Sequence, residues 1–369
     1  MSAAPGATAA GTLAAGLACP LPAGDHETVQ LAHGGGGRLS QRLIEGLFVA
    51  AFANPALDEL GDGAVLGDGV APELAPAAGG RLAFSTDSFV VRPLFFPGGD
   101  IGSLAVHGTV NDVAMCGARP LAISAGFILE EGFPMADLRR VVASMRDASR
   151  AAGVPVVTGD TKVVDRGKGD GVYVNTTGIG WIPRGIEVAP RRARPGDLVL
   201  LNGGLAEHGI AIMSVREGLE FDTAIESDSA ALHGLVADLL DRLGEAVHVL
   251  RDPTRGGVAS ATNEIAAKAG VGIVLDERSL PLREEVRGAC EILGFDPLYV
   301  ANEGKCLAIV ARDRAEEALA AMRARPEGRA AAIVGEVMAD HPGRVLLRSR
   351  IGGLRVVDML SGEQLPRIC

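Results

Sequence analysis

The chain is predicted to fold as two mixed α/β domains in tandem, and three observations carry that prediction. Its 369 residues exceed what one hydrophobic core usually organises. Apolar residues make up 47% and aromatics only 4%, so the cores must be built mainly from Ala, Val, Leu and Ile, which suits layered helix and sheet. A basic, proline-rich stretch, PRGIEVAPRRARPGD (residues 183–197), interrupts the succession of strand and helix patterns near the middle. The reading divides the chain into a flexible extension (residues 1–30), a first domain (31–185), a second domain (186–345), and a hairpin with a mobile tail (346–369).

The extension is rich in Ala and Gly and has no Lys or Arg before Arg38, so the charged start of a secretory signal is missing. After it, Gly34 to Gly37 lead into a helix whose Leu39, Leu43, Ile44, Leu47 and Phe48 recur at helical spacing. Four glycines let backbone amides approach an anion; they serve equally as a plain linker. RLAFSTDSFVV reads as a strand whose apolar run ends near Asp87, and Gly98 to Gly102 open a helix carrying Asn111 and Asp112 within an apolar pattern. LAISAGFILEE is a strand. Pro134 begins a long amphipathic helix that stops at Gly153. PVVTGDTKVV and GVYVNTTGIGWI are strands, so the first domain is α+β and closes near Pro183.

DLVLLNG starts the second domain. Helices are predicted over Glu207–Glu217, Asp228–Leu243, Gly256–Ala269, Glu284–Leu293 and Arg314–Ala324. Strands are predicted in HVLRD, VGIVLDE, YVANEGKCLAIVA and AAIVGEV, and RVLLRSRIGGLRVVDML forms a hairpin turning at Gly352–Gly353. The chain then ends QLPRIC, with a thiol on Cys369 after the stiffening Pro366. Such a thiolate is a nucleophile able to carry an acyl group, although a frayed tail with an incidental Cys is the common case.

A net charge of −11 excludes a general nucleic-acid surface. The longest apolar runs are too short for a membrane span. Five Cys without a CxxC pair fit neither a zinc knuckle nor a disulfide framework, and a reducing, cytoplasmic setting is expected. Acids recur instead beside glycines or at strand ends: Asp62, Asp87, Asp112, Asp160 and Asp252. Singly, each has a plain alternative: Asp62 a turn, Asp87 a strand end, Asp252 a cap for the helix near Gly256. Together they favour one site where Mg²⁺ bridges nucleotide phosphates. Neither a Walker phosphate loop nor a glycine-rich dinucleotide turn is present.

The succession STDSFVVRPLFFPGGDIG, NDVAMCGARP, GFILEEG, VTGDTKVV, RDPTRGGV, ANEGK and terminal PRIC resembles the HypE family of nickel–iron hydrogenase maturation factors, from about Leu31 to Cys369. The TDSF, NDVA and DPTRGG elements alone resemble the wider superfamily of aminoimidazole ribonucleotide synthetase, selenophosphate synthetase and thiamine-monophosphate kinase. The PRIC terminus selects HypE. The resemblance implies a two-domain aminoimidazole ribonucleotide synthetase-like fold, with N-terminal sheets pairing into a barrel in a homodimer and ATP with Mg²⁺ in the groove. It implies that a partner carbamoyltransferase loads a carbamoyl group on Cys369. ATP then drives its dehydration to a thiocyanate, and the cyano group passes to iron on a maturation scaffold complex.

On that basis Asp62, Asp87, Asp112 and Asp252 are the expected metal ligands. Asn111, Asp160, Gly35 and Gly36 join the same four acids in holding the nucleotide. Glu303, inside the apolar pattern YVANEGKCLAIV, is the candidate base, because burial raises a carboxylate's proton affinity. Lys162 is expected to neutralise developing charge or to hold Glu303. Two alternatives remain at this level: a small-molecule kinase or synthetase of the same superfamily, which has no need of Cys369, and a nonenzymatic assembly module whose thiol holds iron.

Overall fold

The computed structural model describes residues 29, 31–52, 59–66, 79–219, 225–360, 365 and 367–369. The expected flexible extension therefore lies almost wholly outside the described residues. The glycine run follows a 3₁₀ turn (Leu31–Gly34) and leads into α1 (Arg38–Leu43), a π-helical turn (Ile44–Val49) and α2 (Ala50–Phe52).

The first domain is a five-stranded sheet in the order β1-β2-β7-β5-β6. Its strands are β1 (Ala64–Leu66), β2 (Arg81–Phe89), β5 (Arg119–Glu130), β6 (Val156–Val164) and β7 (Val172–Ile182), and a small ribbon is made by β3 (Phe95–Phe96) and β4 (Gly99–Asp100). Only β5 and β6 run parallel. Strand β1, which was not expected, pairs antiparallel with β2. Helices α3 (Ile101–Met115) and α4 (Met135–Ala152) cover one face. Helix α3 begins at Ile101, inside the Gly98–Gly102 stretch expected to open it, because Asp100 accepts from the Gly102 and Ser103 amides and Ser103 closes a capping box. It is buried nearly all round, and each fully buried Ile or Leu contributes about 1.5–3 kcal/mol. Helix α4 ends as expected, on Gly153 in the left-handed conformation.

The second domain is a seven-stranded mixed sheet in the order β14-β13-β10-β12-β8-β11-β9. It comprises β8 (Leu198–Leu201), β9 (Val247–Arg251), β10 (Gly272–Asp276), β11 (Leu307–Val310), β12 (Ala332–Met338), β13 (Arg344–Arg348) and β14 (Leu354–Val357). The β13–β14 hairpin forms the sheet's edge, with β13 parallel to β10. Helices α5 (Glu207–Glu217), α6 (His233–Leu243), α7 (Gly257–Ala269), α8 (Glu284–Leu293) and α9 (Ala315–Arg323) pack on it. Two expectations fail here. Helix α6 begins at His233 rather than Asp228, and ANEGK is a buried loop rather than part of a strand, which starts only at Leu307. Both segments are held by side-chain hydrogen bonds that replace a backbone ladder.

A candidate active site between the two domains

The site is assembled where the carboxyl end of β2, the last turn of α3 and the carboxyl end of β9 converge. Asp62 reaches from the loop before β1 to Arg251 on β9, so the two domains are ion-paired across the cleft; Arg251 also holds Glu264 at 2.6 Å. The turn reading of Asp62 is thereby replaced by a cross-domain role. Asp112, on α3, accepts from the Ser85 hydroxyl at 2.7 Å, and the same hydroxyl lies 3.0 Å from the Asp62 carbonyl. Asp87 sits on β2 opposite Thr176, with Arg255 at 3.7 Å. Asp252 does not cap α7: Gly256 stands at the cap, without a side-chain bond, and Asp252 is buried at the end of β9.

Burial is the first cause of proton affinity throughout this cluster. It pushes Asp62 and Asp112 well above the usual carboxylate range and raises Asp87, while Asp252 is raised to about 6. Neighbouring carboxylates add to the effect on Asp62, Asp112 and Asp252, and Arg251 or Arg255 opposes it on Asp62, Asp87 and Asp252. Among the described residues, no three acidic, imidazole or thiol groups converge closely enough to cage a metal ion by themselves.

Glu303 is buried as expected, but from the loop just described. Its amide donates to Asp228 at 3.0 Å, and Asp228 pairs with Lys305 at 2.9 Å. Asn302 fixes the preceding turn by accepting from the Ala206 amide and donating to the Pro253 and Val300 carbonyls. At Gly304 a Cβ would collide with the Asp228 carbonyl, so the A-N-E-G-K spacing is a packing requirement. The Glu303 atom Oε1 is buried without a hydrogen-bond partner. Burial first, then Asp252, Asp87 and Asp228, lift Glu303 well above the usual range.

The carboxyl terminus lies in the same place. Cys369 is buried; its carbonyl accepts from the Val90 amide at 3.1 Å, and the Arg367 carbonyl from the Arg92 amide at 3.2 Å. The tail thus adds a short stretch of backbone pairing beyond the end of β2. Burial pushes the Cys369 thiol up, Arg255 opposes this, and Glu303, Asp87 and Asp252 reinforce it.

The remaining expected residues fare differently. Gly36 lies in the left-handed region, and a Cβ there would meet the Arg255 backbone and Cβ; at Gly37 it would meet the Leu360 carbonyl. The glycine run is therefore a close-packed seam between Arg255 and the base of the tail, not a plain linker. Gly35 sits beside Arg255 in the same seam. Asn111 is taken up internally, donating to the Ala230 and Glu303 carbonyls and accepting from the Leu232 amide. These bonds tie α3 to the Glu303 loop. Lys162 does not hold Glu303 within the chain: it pairs with Asp160 at 2.6 Å on the exposed edge strand β6. Sequence reasoning passed over Arg251, Arg255, Ser85, Asp228 and Lys305; charges flanking the glycines of RDPTRGG and ANEGK were the available signal.

Beside the cluster opens a cleft of about 1010 Å³, lined by Gly36, Gly37, Asp62, Ser85, Arg251 and Asn263 among others. Two domains of this topology, enclosing buried acids between them, define a class. The models for the N-terminal and C-terminal domains of AIR synthase related proteins match residues 61–182 and 194–348. Within that class the carbamoyl dehydratase HypE of Azotobacter vinelandii is 58% identical over 93% of this chain and 97% of its own. A HypE crystal structure solved with ATP shares 51% identity, with TM-score 0.76, over 93% of this chain and all of the other. The HypE of a HypE–HypF complex shares 48%, with TM-score 0.80, over 86% and 99%. The chain belongs to the HypE family of carbamoyl dehydratases.

Proposed function

We propose that the chain uses ATP to dehydrate a carbamoyl group carried on Cys369, converting a thiocarbamate to a thiocyanate for the cyanide ligands of a nickel–iron hydrogenase. Its relatives are carbamoyl dehydratases by name, and one has been solved with ATP. The observation that carries the residue-level reading is the seating of a terminal thiol among Arg255, Glu303 and the interdomain acids.

In this reading the amide oxygen attacks the γ-phosphorus, and the bond to the ADP oxygen breaks. Nitrogen gives up one proton as the O-phosphoryl imidate forms. Loss of the second proton then drives phosphate out and completes the C≡N bond, so the oxygen of the lost water leaves in phosphate. Such transfers depend on positioning and charge neutralisation. Glu303, with an unpartnered oxygen and a proton affinity that burial raises well above the usual carboxylate range, is suited to take the nitrogen protons. Arg255, a cation beside Cys369, Asp87 and Glu303, is placed to neutralise charge at the reacting end.

Mg²⁺ fits the donor chemistry, because half-buried Asp87 and Asp112 and buried Asp252 are hard-oxygen ligands, and the charges of Asp87 and Asp252 add to desolvation in raising the proton affinity of Asp112. Because they do not close a cage by themselves, Asp87, Asp112 and Asp252 would hold it only together with the nucleotide phosphates, and Asp62 only by sharing with Arg251. The ion would supply charge neutralisation at the phosphates. Asp160 and Lys162 would serve the nucleotide only from a neighbouring surface.

The first domain, residues 31–185, is assigned to ATP binding and dimerisation, with 186–345 as the second domain and 346–369 as hairpin and tail. The sheet face opposite α3 exposes Phe84, Leu121 and Ile179, which supports a homodimer pairing two sheets into a barrel. A relative has been solved with HypF, which supports a carbamoyltransferase as the loading partner; an iron-binding scaffold would accept the cyano group. Among the described residues no helix is long and apolar enough to cross a membrane.

Intact mass of the protein after incubation with its carbamoyltransferase and carbamoyl phosphate, and then with Mg-ATP, tests the reading beside Cys369→Ala. The expected result is an adduct that loses one water on adding ATP and never forms on the variant. An adduct that forms equally on Cys369→Ala overturns it.

A further inference from the structure

The inner position of the tail is defined by one stripe of α5. His208, Ile212 and Arg216 stand four residues apart, so they share a face of the helix. His208 contacts the Ile368 carbonyl through Nε2 at 2.8 Å. Ile212 packs in the apolar cluster that contains Ile368 and Cys369. Arg216 donates to the Arg367 carbonyl and also to that of Arg92. The Arg92 and Val90 amides donate to the Arg367 and Cys369 carbonyls, so residues 367–369 are gripped by that backbone and by α5, the two grips sharing the Arg367 carbonyl.

We propose that His208 is the positioning residue that latches the tail and so sets where the Cys369 sulfur stands relative to Glu303 and Arg255. The chemistry of the contact fixes the tautomer. A carbonyl only accepts, so Nε2 carries the proton, and Nδ1 accepts from the Ser227 hydroxyl at 2.8 Å. The Ser227 oxygen in turn accepts from the Ser229 amide at 3.1 Å, which leaves its proton for His208. The ring is fully buried and stands edge-on to Phe96, with centroids 5.6 Å apart. A ring held this way has one orientation, and its sole remaining donor points at the residue before Cys369. Glu207, the preceding residue of α5, pairs with Lys305, two residues beyond Glu303, so the tail latch and the base-bearing loop share one helix end.

The contact reads backbone, not side chain, so it tolerates a carbamoyl or cyano group on the sulfur. Losing it should loosen the tail without affecting ATP binding or delivery of the carbamoyl group.

This inference rests on the proposed dehydration, and the test separates the two. Full-length wild type, His208→Leu and His208→Gln are loaded by the carbamoyltransferase, and water loss is followed by mass in a single turnover with Mg-ATP. In parallel, unloaded protein is treated with iodoacetamide, and alkylation of the C-terminal peptide is timed. His208→Leu should be alkylated about tenfold faster, the worth of one lost hydrogen bond. It should dehydrate about 10- to 100-fold more slowly, as expected for a misplaced reactant. Loading and ATP affinity should stay at wild-type values. His208→Gln keeps a donor at the position of Nε2 and should recover most of both rates.

Wild-type alkylation and dehydration in His208→Leu would overturn the latch. If that variant fails to fold, Ser227→Ala removes the group that orients the ring and should shift both rates in the same direction; unchanged rates there overturn it too. A wild type that never loses water refutes the dehydration, while the alkylation rates still decide the latch.

Discussion

Two regions of this molecule carry the same kinds of charged side chain and treat them in opposite ways. Between the domains, Asp252 and Glu303 are buried and Asp62 and Asp112 half-buried, and desolvation raises the proton affinity of all four. On β6, Asp160 lies in solvent beside Lys162, and their hydrogen bond holds Asp160 below the usual carboxylate range. The first region is electrostatically uncomfortable and fit to take up protons or a cation. The second is at rest. Residue type and glycine neighbours are alike in GDGAVL and TGDTK, so the environment supplied by folding makes the difference.

Replacing Glu303 should separate the regions most strongly. Glu303→Gln keeps the shape and removes the base, so single-turnover dehydration should fall about 10²- to 10⁴-fold while carbamoyl loading remains at the wild-type rate. Mass spectrometry of the loaded variant should find the carbamoyl adduct persisting in Mg-ATP. Prompt water loss would make the burial of Glu303 a matter of packing alone.

The cluster should also reveal itself in stability. Asp252 titrates at about 6 when folded, against 3.8 as its ordinary value. A carboxylate raised in this way costs nothing while protonated in both states, and folding is progressively penalised as pH rises through the interval between the two values. At about 1.4 kcal/mol for each unit, the penalty is about 3 kcal/mol by pH 7.5. Asp252→Asn should therefore be more stable than wild type in urea at pH 7.5 without ATP or Mg²⁺, by up to that amount. The two should converge near pH 4. Mg²⁺ with ATP should stabilise wild type and leave the variant nearly unmoved. A variant less stable than wild type at pH 7.5 would mean that Arg251 already compensates the charge.

The extent to which this was legible in the sequence follows the range of the interactions. The bounds of α4 and α5 are local matters, set by Pro134 and Gly153 in one case and by Gly218 after an apolar pattern in the other, and they were read to within a residue or two. The acids of STDSF, NDVA and RDPTRGG were legible as a set because each interrupts or closes an apolar run. Their partners were not. Arg251 meets Asp62, and Arg255 meets Asp87 and the glycine run, only after two domains close on each other. The Glu303 loop reads as a strand in the sequence because residues 300–310 form one unbroken buried run, as a central strand would, and because Asp228, Asn302 and Gly304 replace the ladder with contacts that no periodicity records. The tail's seat on α5 had no local signal either, since its carbonyls are the groups recognised.

The smallest single-chain effect is expected at Lys162, and it is also where the comparison can be broken. Within the chain its pairing with Asp160 is an exposed ion pair, so Lys162→Ala should change unfolding stability by less than about 1 kcal/mol. If β6 serves only its own chain, dehydration should be equally indifferent. A homodimer that brings β6 of one copy to the acids of the other would give Lys162 a site it cannot reach alone. Lys162→Ala would then slow dehydration with loading intact. Mixed dimers decide between these cases, because a dimer of Lys162→Ala with Glu303→Gln carries one defect on each chain. Sites built from Glu303 of one chain and Lys162 of its partner would leave one site wholly intact and the other doubly broken, restoring about half the wild-type rate. If the Lys162→Ala homodimer already dehydrates at the wild-type rate, the mixed dimer loses only its Glu303→Gln site, and the quiet edge strand plays no part in the chemistry.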